Sequence, residues 1–242
     1  MTAGDRARLL GILRSAALLR GLSPEALEEV AERAQEKAFG GGATIFREGE
    51  PAAALLLVAA GRVKLTQVAA DGHEVIIRLV GPADAIAAVS LFEDATYPAT
   101  ASAVADTTVV VWPREALREM FERHPVLAIN AMRMLSDRLR EVQERFRELA
   151  TERVAQRIAR TLLRLVRQAG RRVERGVLLD LPLSRQDLAE MTGTTLYTVS
   201  RTLSEWEARG ILESSRERVL ITSPHALVAL AEDLPPSGKA EG

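Results

Sequence analysis

The 242 residues predict an α+β chain built in three successive parts: N-terminal helices with a β-roll of jelly-roll type, one long helix, and a C-terminal winged helix-turn-helix. Three observations carry this. Between Ala38 and Trp112 the texture is short apolar runs punctuated by glycine, the pattern of many short strands. Ala128, Met132, Leu135, Leu139, Val142, Phe146 and Leu149 recur at alternating spacings of four and three, which is one helix with a narrow apolar seam. Gly193 and Val199 follow Ala189 by four and ten residues, the spacing of two short helices that cross at a tight turn.

Composition narrows the function classes. Hydrophobic residues make up 47% and charged residues 27%, which supports a core and excludes global disorder. The best apolar run, Ala52–Ala60, falls far short of the ~18 residues a membrane helix needs. Asp5, Arg6, Arg8 and Arg14 break up the N-terminus, which shows no signal-peptide cleavage pattern, so a cytoplasmic location is expected. There is no cysteine. Disulfides, thiolate zinc sites, cysteine-held iron–sulfur clusters and thiol redox sensing are thereby excluded. Nothing resembles a nucleophile–base constellation, a metal cluster or a phosphate loop, so no enzyme is expected. The net charge of −1 is unevenly spread: residues 1–150 carry −3 and residues 151–226 carry +4. A basic C-terminal part suits a polyanionic partner.

Element by element, Ser23-Pro24-Glu25 opens a helix, with serine as cap and proline at the first helical position. Strands are expected at Ala43–Phe46, Ala54–Ala59, Val63–Val68, Glu74–Val80 and Thr107–Trp112, with Asp71-Gly72 turning a hairpin. From about Arg114 the pattern is helical. The seam is flanked by Arg138, Arg140, Glu141, Glu144, Arg145 and Glu148, which fits a parallel two-stranded coiled coil. Met132, Leu135, Leu139, Val142, Phe146 and Leu149 are then the expected dimer interface. The alternative is one amphipathic helix on its own core. A second helix runs from Thr151 to about Gly170, and a strand follows at Val177–Leu181. Arg153, Arg157, Arg160, Arg164, Arg167 and Arg171 form a stripe opposite Val154, Ile158, Leu162 and Val166. It reads as a solvated face, or else as one whose first arginines touch DNA phosphates. Pro235-Pro236-Ser237-Gly238 opens a tail expected to be disordered. The expected divisions are 1–122, 123–150 for the dimer helix, 151–230, and 231–242 for the tail.

The most informative stretch runs from Leu183 to Gly210. Ser184 and Asp187 form a capping box, Gly193 permits a left-handed turn, and Thr195 caps the next helix. Val199 and Leu203 face inward, leaving Tyr197, Thr198, Ser200 and Arg201 outward. Arg209–Leu212 and Val219–Thr222 flank a polar turn, Ser214–Arg218, as a winged hairpin. An αα-hairpin in a helical core accounts for the small residues but not for this exposed hydroxyl-and-arginine face. DNA binding is therefore expected of Ser184, Arg185 and Gln186, of Thr194, Thr195, Leu196, Tyr197, Thr198, Ser200 and Arg201, and of Arg216 and Arg218 in the wing.

This order of parts resembles the CRP/FNR family of bacterial transcription regulators from about Leu22 to Ala226. Its marks are Gly42-x-x-Ile45-Phe46-Arg47-Glu48-Gly49, Ala60-Gly61-Arg62-Val63-Lys64-Leu65 and Asp71-Gly72-His73-Glu74. The resemblance implies a cyclic-nucleotide-binding-like roll, a homodimer, a palindromic double-stranded DNA operator and RNA polymerase as a partner, with no membrane. It places the effector pocket at Asp84, Ile86, Ala87, Ala88 and Val89, at Tyr97, Pro98, Ala99 and Thr100, and at Leu139, Val142 and Gln143. In cyclic-AMP-binding members a Gly-Glu pair and an Arg-Ser pair hold the ribose and phosphate. Here they fall at Ala87-Ala88 and Tyr97-Pro98, and the adenine-facing Thr-Ser pair falls at Val142-Gln143. A phosphate needs donors and preferably a cation. Cyclic AMP binding in the usual mode is accordingly not expected.

Two alternatives stand beside this reading. Tyr97-Pro98-Ala99-Thr100-Ala101 resembles Dnr-type regulators, which respond to nitric oxide and in which haem is implicated. An axial ligand would have to come from His73, His124 or His225, or from a tyrosine or methionine. The other alternative is a ligand-binding or interaction module whose winged helix no longer touches DNA. In the base-reading helix the family commonly carries Arg or Val, then Glu, then Gly-Arg or Ser-Arg, here Leu196, Tyr197 and Ser200-Arg201. Arg201 keeps the guanidinium that binds guanine, whereas Tyr197 lacks a carboxylate for cytosine, so the family's usual half-site does not transfer unchanged. Leu196 offers apolar contact of the kind a thymine methyl takes.

Overall fold

The computed structural model describes residues 3–68, 72, 74–87, 95–179, 181, 183–215 and 218–234. The chain divides into two units, Met1–Glu141 and Val142–Gly242. The first begins with α1 (Ala3–Ser15), a 3₁₀ turn (Ala17–Leu19) and α2 (Pro24–Glu32). Ser23 Oγ accepts from the Ala26 N–H at the start of α2, satisfying one of the donors a helix end leaves open. Eight strands follow: β1 (Gln35–Phe39), β2 (Thr44–Phe46), β3 (Ala54–Ala60), β4 (Val63–Val68), β5 (Glu74–Val80), β6 (Ala85–Ile86), β7 (Thr100–Ala103) and β8 (Thr107–Pro113). They form two four-stranded antiparallel sheets, ordered β1-β8-β3-β6 and β2-β7-β4-β5.

Strands β3 and β8 read as continuous apolar runs because both of their faces are buried. Leu55, Leu57, Val110 and Trp112 join the helical side, with Leu9, Leu13, Val30, Leu117 and Leu127. Leu56, Val58, Val109 and Val111 join the roll interior, with Phe46, Val63, Val80, Tyr97 and Ala101. This alternation is the period-two geometry of a strand. The buried Trp112 indole donates to the Val30 carbonyl at 2.9 Å. Gly61 turns β3 into β4 at φ +80°, and a Cβ there would come within 2.4 Å of the Asp106 carbonyl oxygen, so only glycine fits. Outside the roll come α3 (Arg114–Arg123) and α4 (Val126–Thr151), the latter running through the division between the units. The Arg33 guanidinium beside Glu119 holds that carboxyl below its ordinary value.

The second unit continues with α5 (Val154–Ala169), β9 (Gly170–Val173), β10 (Gly176–Leu179), α6 (Arg185–Thr192), α7 (Leu196–Ala208), β11 (Leu212–Ser215), β12 (Arg218–Ile221) and α8 (Pro224–Ala231). Its strands make one antiparallel sheet, β11-β12-β10-β9. Ile158, Leu162 and Leu165 of α5 are buried, as are Leu188, Val199, Leu203, Trp206 and Leu227.

Two expectations need correcting. Glu148, read as a charged flank of the coiled-coil seam, is buried against α5 instead, and Arg164 Nη1 donates to its two carboxylate oxygens at 2.7 and 2.9 Å. Nor is the arginine stripe a solvated face throughout, because its middle members Arg157, Arg160 and Arg164 are half-buried. Arg160 Nε donates to Glu152 at 3.0 Å, and Arg157 donates to the carbonyls of Thr192 and Glu152 at 3.1 and 3.0 Å. Only Arg153, Arg167 and Arg171 of the stripe are exposed. The reason is the turn at Glu152, which folds α5 back so that acids of one helix meet bases of the next.

Candidate functional site

The helix-turn-helix is built by capping. Ser184 Oγ accepts from the Asp187 N–H at 3.0 Å, while the Asp187 carboxylate accepts from the Ser184 N–H at 2.8 Å and from its hydroxyl at 2.6 Å. Gly193 ends α6 at φ +60°, the left-handed conformation that an L side chain pays for with strain. Ala189 is buried at the crossing. Thr195 Oγ1 accepts from the Thr198 N–H at 3.2 Å and lies 3.0 Å from Thr198 Oγ1. Of these two hydroxyl hydrogens one fills the gap between them, and the other remains to donate outward. The first N–H groups of α7 and the positive end of its helix dipole point the same way and favour an anion there.

Of the predicted residues, Gln186, Thr195, Leu196, Tyr197, Arg201 and Arg218 are exposed, and Thr194, Thr198 and Ser200 are half-buried. The Arg201 guanidinium has no hydrogen-bond or ion-pair partner among the described residues. Gln186 Nε2 donates to Glu190 at 2.9 Å. Arg185 is engaged: Nη2 donates to Ser214 Oγ at 3.0 Å and lies 3.7 Å from Glu207, which itself accepts from Ser214 N and Oγ. This ties α6 to α7 and the wing. Sequence reasoning missed the tie because Arg185, Glu207 and Ser214 are far apart in the chain. Arg216, expected in the wing turn, lies outside the described residues.

The expected dimer residues Met132, Leu135, Leu139, Val142, Phe146 and Leu149 are all exposed on α4, Leu135 by 71% and Phe146 by 73%. Ile129, which the sequence reading omitted, extends the row by a turn.

In the roll, Ile86 and Tyr97 belong to the buried interior, and Ala87 packs against it. The Tyr97 ring stacks on Phe46 with centroids 4.0 Å apart and planes inclined by 21°. Its hydroxyl accepts from Ala54 N at 3.3 Å and donates to Ala54 O at 3.4 Å. The Tyr97 backbone is stitched to the loop opposite through Glu50 O and Gly49 N, both at 2.9 Å. Ala99 is buried, Pro98 is exposed with its carbonyl accepting from Gln67, and Thr100 Oγ1 accepts from Glu48 N. Asp84 caps the preceding turn through Gly81 N. Ala87 has φ +63°, a left-handed backbone costing an L residue about 1 kcal/mol, at the position where the resemblance places glycine. Leu139, Val142 and Gln143 are exposed on α4. Ala88, Val89 and the Asp71–His73 turn residues Asp71 and His73 lie outside the described residues, as do 235–242 of the expected tail. Of the described histidines, His124 ends α3 with Nε2 3.4 Å from Glu29, and His225 is exposed on α8; neither belongs to the roll interior. Among the described residues no group of acids and histidines is placed to hold a metal, and no helix is long and apolar enough to cross a membrane.

A double-sheet roll followed by a winged helix-turn-helix defines a two-part DNA-binding regulator. Comparison with known proteins agrees. Residues 36–124 match the cyclic nucleotide-binding domain family and residues 156–230 the Crp-like helix-turn-helix domain family. The chain is 32% identical over 200 residues to the cyclic AMP receptor protein of Thermus thermophilus, covering 83% of this chain and 89% of that one. It is 28% identical over 220 residues to a CRP-like cAMP-activated global transcriptional regulator of Mycobacterium tuberculosis, covering 91% and 98%. Among solved structures, a transcriptional regulator of the CRP/FNR family from Thermus thermophilus superposes with a TM-score of 0.70 at 26% identity, covering 82% and 98%. The chain belongs to the CRP/FNR family and is a DNA-binding transcription regulator.

Proposed function

We propose that the chain acts as a homodimer on two-fold symmetric DNA, and that it does so without cyclic AMP. In this reading 1–122 is the sensing part, 123–150 the dimer helix and 151–230 the DNA-binding part. The observation that carries it is the row of large apolar side chains exposed along α4. Six such residues at coiled-coil spacing, from Met132 to Leu149, face water in the single chain, and burying them against a second copy removes that cost. Dimerisation places two recognition helices for two half-sites about one DNA turn apart, ~34 Å.

The absence of a cyclic AMP response rests on Tyr97. The relatives named for cyclic AMP set the expectation, but the positions that would hold the ribose and phosphate are Ala87 and Tyr97-Pro98. None of Ala87, Tyr97 and Pro98 carries a carboxylate or a guanidinium, and the Tyr97 ring packs inward on Phe46. RNA polymerase is the partner such a regulator acts through. The test is a titration of DNA selected from a random pool at several salt concentrations. Phosphate neutralisation releases counterions, so log affinity must fall linearly with log salt. Saturable, salt-dependent binding to a palindromic sequence without added nucleotide supports the proposal, and binding that requires cyclic AMP refutes its second part.

A further inference from the structure

Leu196 and Tyr197 are the first two residues of α7 and are 48% and 75% exposed. Every other described large apolar residue of the helix-turn-helix is buried or half-buried. Their exposure is not needed by the fold, because Val199, Thr202, Leu203 and Trp206 already supply the inward face of this helix. Thr195 caps the helix directly before them and holds both residues at its tip. Tyr197 lies one turn before Arg201, and Leu196 one turn before Ser200, so the four make one continuous outward face.

Resting on the reading of α7 as the base-reading helix, we propose that Leu196 and the ring of Tyr197 read the C5-methyl of thymine. In the major groove the thymine methyl is the one apolar feature of a base edge, and leucine and an aromatic ring are complementary to it. A carboxylate at Tyr197 would select a cytosine amine, and the phenol cannot accept in that way at neutral pH. Four residues of helix rise about 6 Å. With base pairs about 3.4 Å apart, the thymine lies one or two pairs from the guanine that Arg201 contacts. The half-site therefore carries a T·A pair within two base pairs of its guanine.

The test uses the selected duplex with deoxyuridine replacing thymine at each position in turn, which removes the methyl and keeps the pairing. Wild-type protein is expected to lose about fourfold in affinity per half-site at one or two positions, the effect of withdrawing one methyl group from apolar contact. Leu196→Ala with Tyr197→Ala is expected to bind the thymine and uracil duplexes equally, and Tyr197→Phe to keep the wild-type difference. Both side chains are exposed, so a matching thermal melt verifies that the variants fold. Uracil tolerated at every position, or Tyr197→Phe losing the thymine–uracil difference as the double variant is expected to, overturns the methyl reading while leaving DNA binding intact. A wild-type protein that selects no DNA fails the proposed function instead.

Discussion

Arg164 Nη1 donates to both oxygens of the buried Glu148 carboxylate, at 2.7 and 2.9 Å, and so fastens α5 to the end of α4. Thr161 Oγ1 accepts from Arg164 Nη2 at 2.9 Å and steadies the guanidinium. One turn nearer the junction, Glu152 and Arg160 repeat the arrangement. Breaking a buried pair strands a charge, which costs ~3–5 kcal/mol when both groups are fully buried. Arg164 keeps 27% of its side chain exposed. Arg164→Ala is therefore expected to cost about 2 kcal/mol in urea unfolding, and Glu148→Met with Arg164→Leu less than that, since no charge is left behind. A double variant less stable than Arg164→Ala would show that the pair contributes net stability of its own.

Leu139 is 58% exposed on α4 and central in the apolar row. Leu139→Glu is expected to give monomers in sedimentation, because a carboxylate facing its symmetry mate would be desolvated without a partner. Specific DNA binding should fall with it. An intact dimer in this variant would place the interface elsewhere.

Cyclic AMP at millimolar concentration is expected to leave the melting temperature unchanged. A ligand that binds only the native state stabilises it by about 2.7 kcal/mol at 100 times its dissociation constant, which a thermal melt would register. A saturable shift with a micromolar midpoint would mean that other residues hold the phosphate.

Tyr97→Ala is expected to destabilise by about 3–5 kcal/mol, as emptying an aromatic site in a core does, and Tyr97→Phe by about 1 kcal/mol for the hydroxyl's bonds to Ala54. Chemical denaturation measures both. If Tyr97→Ala unfolds at the wild-type midpoint, the ring does not fill the roll in solution.

Arg201→Ala is expected to flatten preference at one guanine per half-site, since a bidentate contact to guanine discriminates by ~1–3 kcal/mol. Thr195→Ala should instead weaken all sequences about equally. Because Thr195 also caps α7, the second variant should lose about 1 kcal/mol of stability as well. Binding-site selection on both variants checks the contrast, and an unchanged motif for Arg201→Ala would mean that α7 docks differently.

Local signals made much of this fold legible. Ser184, Gly193 and Thr195 each carry a conformational preference that acts within a few residues, and each stands in the structure where its chemistry places it. The seam was legible for the same reason, as a period within one helix. Strand β1 was not, because Gln35–Phe39 is an edge strand with mostly exposed side chains that, among the described residues, pairs with β8 alone. The short β9 has the sequence Gly-Arg-Arg-Val and likewise carries no apolar alternation. What remained hidden in the site depends on distant partners: Tyr97 on Phe46, Arg185 on Glu207, and Arg164 on Glu148. A spacing rule within one element cannot supply those meetings.

The most direct measurement of the central claim is native mass spectrometry of the protein with its selected palindromic duplex, in the absence of any nucleotide. Two chains on one duplex, with no small molecule retained, is the predicted result. One chain per duplex, or a complex that forms only after cyclic AMP is added, would contradict it.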